Sequence, residues 1–422
     1  MRTNTPGRYW KAYVTVSLFF LIIVMVIAIC TRLWVLTAIP IGFLFGFFLQ
    51  KGGLCGSSAF SEILLMKDLK KAWGIWVCIV TGMAGFALLD LLGWVVLNPK
   101  PFIWANYAIG GLLFGIGMVL AGGCVSGCLF KAGTGNLNSI VAIPGIALGV
   151  SLVEHGPLQP LFNSLKTLVI KAPDGGSVTI ASLTGLPVWI IALIFVVLTL
   201  AFSFRLRRKH PKSGDAHSIK NKIRAKSWKP WQAGLLIGLL GIAAYLSSAA
   251  SGRNYPLGVT HGVMHTQLLI TDHNLNHVYQ KKPAAAKVEV QAVDGSKTQP
   301  VSPKEPAAAP PGKKVSWWLI LLVSSLVLGS WVSGRLSGEA RLLSKPPQQV
   351  ITALFGGFLV GIGAALAKGC VIGNIISGWA LLSMGTVLFG VVVVLSNWLT
   401  TYFYLMGGTI PELVVWFRRS RR

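Results

Sequence analysis

The sequence predicts an all-α integral membrane protein, a polytopic helical bundle of two inverted-topology repeats with interrupted or re-entrant helices. Three observations predict it. Hydrophobic residues fill 53% of the 422 positions and charged residues only 12%, against roughly 25% charged in a soluble domain, so lipid-facing apolar surface takes the place of the missing charge. Several runs are long enough for a bilayer, which takes about 20 apolar residues in a helix. One glycine-cysteine segment also occurs twice.

The runs, in chain order, cover 12–30, 73–97, 186–204, 231–246, 317–332, 350–367 and 381–399. The first carries no charge, is long for a secretory signal and lacks a small-residue cleavage site, so it reads as a retained helix. The expected organisation is an N-terminal helix (1–33), a first repeat (34–204), a basic linker (205–230), a second repeat (231–400) and a basic C-terminal segment (401–422). The second repeat carries a polar insertion (267–316), and its stretch 281–314, rich in Pro, Ala and Lys, offers nothing to bury and is expected to be disordered.

A net charge of +26 would suggest nucleic acid in a soluble protein, but here the cations cluster in loops and at the termini. The stretch 205–229 holds ten Lys/Arg against Asp215, and the chain ends with Arg418, Arg419, Arg421 and Arg422. The positive-inside rule places these segments, with both termini, in the cytoplasm. Membrane lipid is the expected surface partner, and nucleic acid is not.

The repeat is direct. GLLFGIGMVLAGGCVSG (111–127) and GFLVGIGAALAKGCVIG (357–373) share 11 of 17 positions without a gap, including five glycines and the cysteine. Weaker partners lie upstream, where GFLFG (42–46) leads to KGGLCGSSAF (51–60) and GLLIG (234–238) to RNYPLGVT (253–260). Tracing the basic loops makes the first copy run from outside to inside and the second from inside to outside, the pattern of inverted-repeat transporters.

Glycines such as Gly111, Gly115 and Gly117 suit close helix packing. Gly123 before Cys124 and Gly369 before Cys370 point instead to interrupted helices, which membranes tolerate only where the backbone is buried in protein or lines a watery cavity. In transporters such breaks aim half-helix N-termini at anionic substrates. Lys51, Arg253 and Lys368 stand near the breaks without a carboxylate in the motifs, which favours an anion as cargo. Lys131 reads as snorkelling to the interface, and Glu62 or Asp90 as possible partners of these cations. His261 and His265 read as loop packing; no metal and no cofactor is predicted. Cys30 and Cys78 are expected to be small buried hydrophobes. Cys55, Cys124 and Cys370 offer weak, soft S–H donors suited to a sulfur-bearing anion, and Cys128, one turn past Cys124, extends that path or pairs with Cys124. A rival reading is a membrane thiol–disulfide or sulfur-transfer enzyme using Cys124 and Cys128, although neither a C-x-x-C nor a nearby general base supports it. A third is a transporter or channel for another small anion.

The segments GFLFGFFLQKGGLCGSSAFSE, IGGLLFGIGMVLAGGCVSGCLFKAGTGNL and GFLVGIGAALAKGCVIGN resemble the YeeE/YedE family of bacterial inner-membrane proteins. The resemblance implies a transporter, not an enzyme, for a sulfur-containing anion, with thiosulfate the leading substrate. It also implies an inner-membrane location, a path lined by Cys55, Cys124 and Cys370, and a cytosolic sulfur-carrier or rhodanese-like partner. Some members are tied to selenium, so the substrate stays open at this point.

Overall fold

The computed structural model describes residues 10–172, 176–209, 227–278, 313–342 and 345–407. The centre of the basic linker, most of the 267–316 insertion and the C-terminal arginines lie outside those residues. The described fold is helical, with two short two-stranded sheets at loops. Among the described residues, ten helical segments are long and apolar enough to cross a membrane, and the chain is a multi-pass membrane protein.

The helices are α1 (Trp10–Thr31), α2 (Ala38–Gly52), α3 (Gly56–Met66), α4 (Lys70–Leu91), α5 (Trp104–Leu120), α6 (Val125–Gly133), α7 (Leu137–Glu154), α8 (Gln159–Lys166), α9 (Ile180–Thr184) and α10 (Val188–Lys209). After the linker come α11 (Pro230–Ala250), α12 (Thr260–Thr271), α13 (Trp317–Ser337), α14 (Pro347–Leu366), a π-helical turn (Val371–Ile376) running into α15 (Ser377–Ala380), and α16 (Met384–Thr400).

Packing is reciprocal. α2 lies along α13 as α11 lies along α4, and α7 lies along α14 as α16 lies along α5. Small residues set these approaches. A Cβ on Gly42 or Gly46 would strike the carbonyl oxygens of Leu322 or Leu326 of α13, and one on Gly238 would lie 2.9 Å from the Cys78 carbonyl oxygen of α4. Glycine is what lets two backbones come this close, since association in lipid relies on van der Waals packing and not on the hydrophobic effect. The helices carrying the two copies of the glycine-cysteine segment also touch: Gly110 of α5 faces Gly363 and Ala367, and Gly117 faces Gly356 and Val360, so α5 and α14 run in opposite directions.

Three features depart from the run-by-run expectation. α7 crosses the membrane although Asn138, Ser139, Pro144 and Glu154 dilute its hydropathy; its start is fixed by the Asn136 side chain, which accepts from the Ser139 N–H. α4 stops at Leu91, short of 97, because Gly93 follows in the left-handed region at φ 70°. Cys78 is buried as expected, but Cys30 is exposed. The reason is that α1 lies at the periphery, with most of its side chains facing outward.

Candidate functional site

Four apolar helices end in a left-handed residue and resume as a short half-helix. The left-handed positions are Gly53 (φ 58°), Gly122 (69°), Lys368 (51°), and the pair Gly252 (80°) and Asn254 (47°). Such a residue stops a helix by turning its last carbonyls aside. It is natural for glycine and costs a lysine on the order of 1 kcal/mol. At three of the four breaks the next helical turn is entered from a cysteine in extended backbone: Cys55 before α3, Cys124 before α6 and Cys370 before the π-turn. None of these thiols makes the side-chain cap bond that Ser, Asn or Asp makes there. The thiols are therefore not used up in holding the local backbone.

Other side chains hold the breaks, and they match between the copies. One turn after Cys124, the Cys128 thiol donates to the Gly123 carbonyl at 3.5 Å. At the repeat-equivalent place Asn374 donates to the Gly369 carbonyl at 2.8 Å and to the Ala367 carbonyl at 3.0 Å. The Lys131 ammonium donates to the Gly122 carbonyl at 2.5 Å. Lys100, from the loop after α4, donates to the equivalent Lys368 carbonyl at 2.5 Å and to Asn374 Oδ1 at 2.7 Å. The fourth break, at 251–259, is pinned to the π-turn. Tyr255 Oη donates to the Gly373 carbonyl at 2.6 Å, and Ser377 Oγ to the Leu257 carbonyl at 2.9 Å.

Two cavities lie at opposite ends of α4, α11 and α13, and each ends on a cysteine. The larger, about 580 Å³, reaches Cys370 from the end that carries the loops 92–103 and 251–259; Lys100, Arg253, Lys314 and Lys368 line it, and among the described residues no carboxylate does. The smaller, about 240 Å³, reaches Cys55 from the end that carries residues 67–71 and 339; Gln50, Ser58, Lys71, Lys131 and Glu339 are among its lining. Cys124 lines neither. It is fully buried, its thiol beside that of Cys55 and 3.4 Å from Ser126 Oγ. Gly127 seats the two sulfurs, because a Cβ there would run into Cys55 Sγ and touch Cys124 Sγ at 3.5 Å. Val371, next to Cys370, packs on Gly56, next to Cys55. Cys55 and Cys124 thus lie side by side, Cys370 is one residue from the Val371–Gly56 contact, and the thiol of Cys128 is occupied by the backbone.

The cations divide by role. Arg253 Nη1 donates to the Tyr255 and Pro256 carbonyls at 3.3 and 2.9 Å, and its guanidinium lies 5.0 Å from the Trp318 ring centre. It therefore folds the 253–258 loop as well as lining the larger cavity. A Cβ on Gly258 would come 2.9 Å from its Nη2, so the guanidinium fills the space beside that glycine. Lys51 lines neither cavity; it is buried and donates to Ser337 Oγ at 2.6 Å, tying α2 to α13. Burial lowers the Lys100 ammonium to about 7, with Arg253 and Lys368 adding repulsion. Burial likewise lowers Arg253 to about 10 and, with His261 nearby, His265 to about 4. His261 Nε2 pairs with Glu154 at 2.8 Å, joining α12 to α7. Glu62 pairs with Lys71, and Asp90 is exposed. Lys100 escaped the sequence reading because it lies in an ordinary Asn-Pro-Lys-Pro loop, outside every repeated motif.

The family model for sulphur transport matches residues 51–399. The thiosulfate transporter TsuA of Spirochaeta thermophila is 29% identical over 396 residues, covering 91% of this chain and 99% of its own length. The protein of the same name from Escherichia coli is 25% identical over 394 residues, covering 92% and 96%. The probable transporter YedE of Escherichia coli is 36% identical over 114 residues, covering 26% of this chain and 27% of its own.

Proposed function

The chain belongs to the sulphur transport family, and from that premise we propose that it takes up thiosulfate across the bacterial inner membrane through a path of thiols. The observation that carries the proposal is the pair of cavities ending on Cys370 and Cys55, with Cys124 buried beside Cys55. Relatives matched along nearly their whole length are named thiosulfate transporters.

The chemistry follows from the residues. An anion enters the larger cavity, where Lys100, Arg253 and Lys368 supply positive potential and, among the described residues, no carboxylate is in the lining. Beyond Cys370 the residues of the path are buried, and a charge that leaves water needs donors. Thiols are weak S–H donors with a soft, polarizable sulfur, so they hold a terminal sulfur loosely enough to release it. Thiosulfate passes from Cys370 to Cys124 to Cys55 without forming a covalent bond, and leaves through the cavity lined by Lys71 and Lys131. In this reading the protein is a transporter and not an enzyme, and Cys128, bonded to the Gly123 carbonyl, holds the break instead of extending the path.

The opposite directions of α5 and α14, with the reciprocal pairings α2–α13 and α11–α4, support two repeats of inverted topology. The basic loops favour a cytoplasmic side for both termini and the smaller cavity, where a sulfur-carrier or rhodanese-like protein would receive the anion. Cells whose only thiosulfate route is this protein should accumulate labelled thiosulfate, and excess sulfate should compete poorly. Absence of accumulation would remove the proposal; strong competition by sulfate would remove the selective role of the thiols.

A further inference from the structure

We propose that Lys100 is the anion-binding residue of the larger cavity, the one that seats the oxygens of a small oxyanion beside the Cys370 thiol, with Lys131 its spatial counterpart at the other end of the path. The inference rests on the transport reading above and deepens it.

Position comes first. The Lys100 ammonium is bonded to the Lys368 carbonyl and to Asn374 Oδ1, two groups that flank Cys370 in the chain. Gly369 makes that approach possible, since a Cβ on it would lie 2.8 Å from Lys100 Nζ; one on Gly373 would lie 3.9 Å away. The ammonium therefore rests against the backbone on both sides of the thiol. Its location is not a product of the duplication, because Lys131 comes from α6 itself and Lys100 from a loop between spans. Both nevertheless donate at 2.5 Å to the carbonyl of the left-handed residue that opens a break.

Charge comes second. Lys100 is half-buried and is served by two neutral acceptors and the face of the Tyr255 ring, 5.0 Å from its centre. Among the described residues that line this cavity the ionisable groups are Arg253, Lys314, Lys368, His261, His265, Tyr255 and Cys370, and none is a carboxylate. Withdrawing an ammonium even partly from water without a counter-ion is costly, and an incoming anion supplies one. The other cations are placed differently: Arg253 holds its own loop through two carbonyls, Lys368 also borders the opening beside Glu154 and His155, and Lys314 is exposed. A third observation is independent of charge. Thr260 Oγ1 is buried on the wall of the same cavity and has no hydrogen-bond partner among the described residues, so a donor stands ready for an oxyanion oxygen. Oxygens on the ammonium and hydroxyl, and sulfur toward the thiol, would seat thiosulfate in one orientation. Sulfate would share the oxygen contacts and lack the sulfur.

The test is initial-rate uptake of labelled thiosulfate by the intact protein in proteoliposomes. Lys100→Met should raise KM at least tenfold and leave the maximal rate within about threefold, whereas Lys100→Arg should return KM to within about threefold of the wild type. Thiosulfate stays a dianion above pH 6, so wild-type kcat/KM should fall as the Lys100 ammonium deprotonates near 7, by about tenfold for each pH unit well above that value. Arginine stays protonated, so the fall should flatten in Lys100→Arg. An unchanged KM in Lys100→Met overturns the inference, as does an identical pH profile in wild type and Lys100→Arg. Should Lys100→Met fail to fold, the comparison of those two profiles decides alone. Lack of uptake by the wild type would instead overturn the transport reading.

Discussion

Gly127→Ala probes the thiol junction without removing a thiol. Gly127 is the third residue of α6, and its Cα faces the Cys55 sulfur. The added Cβ would overlap Cys55 Sγ, approach Cys55 Cβ to 3.5 Å and touch Cys124 Sγ at 3.5 Å. Both cysteines are buried, at 1% and 0% exposure, so neither sulfur can turn away into open space. Overfilling a packed interior by one methyl costs about 1–3 kcal/mol. At 1.36 kcal/mol per factor of ten, a cost falling on the state with the anion between the thiols slows uptake about 5- to 150-fold. Gly82→Ala is the control: that glycine is also buried in mid-helix, but the nearest atom to its new Cβ is Ala380 Cβ at 3.7 Å. Uptake should stay within about twofold of the wild type there. Initial rates of thiosulfate uptake per folded protein compare the two. Equal rates for Gly127→Ala and Gly82→Ala would refute the reasoning.

Three further outcomes follow from the same contacts. Cys128→Ser should keep uptake near the wild type, because a hydroxyl can donate to the Gly123 carbonyl as the thiol does, whereas Cys128→Val should lower melting temperature and uptake together; loss in the serine variant would return Cys128 to the path. Gly46→Val should destabilise the protein by at least 1–3 kcal/mol, since its side chain would enter the Leu326 carbonyl, and a lower thermal midpoint in detergent would register it. His265 accepts from the Ser316 N–H through Nδ1 at 3.4 Å and is held near 4 by burial. An unfolded histidine near 6.5 protonates first, so its contribution to stability is complete above 6.5 and is lost as pH falls from there toward 4. His265→Gln should therefore flatten the melting curve against pH in that window, and an unchanged slope would contradict the assignment.

Much of the fold was legible because lipid imposes a simple rule on the sequence. An uncharged stretch such as that of α1 has few soluble alternatives, and the gapless repeat around Cys124 and Cys370 placed two of the breaks. What stayed hidden depended on contacts distant in the chain. α7 was obscured by Asn138, Ser139 and Pro144, whose polarity or geometry is tolerated by packing against α14. The central position of Cys55 beside Cys124 was not readable from spacing, since 69 positions separate them; the small residue at Gly127 brings them together. Lys51 looked like a path residue from its place before Cys55, yet its ammonium is directed to Ser337 on α13. Lys100 showed the reverse, as an unremarked loop lysine brought to Cys370 by the tertiary fold.

The central claim is that thiosulfate crosses between Cys370, Cys124 and Cys55. The measurement that tests it most directly is uptake of labelled thiosulfate into proteoliposomes by the wild type, Cys55→Ala, Cys124→Ala and Cys370→Ala, with Cys30→Ala on the exposed face of α1 as control. The account predicts robust uptake by the wild type and Cys30→Ala, and at least tenfold slower uptake by each of the other three with the folded protein retained. Wild-type rates in Cys124→Ala, the residue that neither cavity reaches, would contradict it.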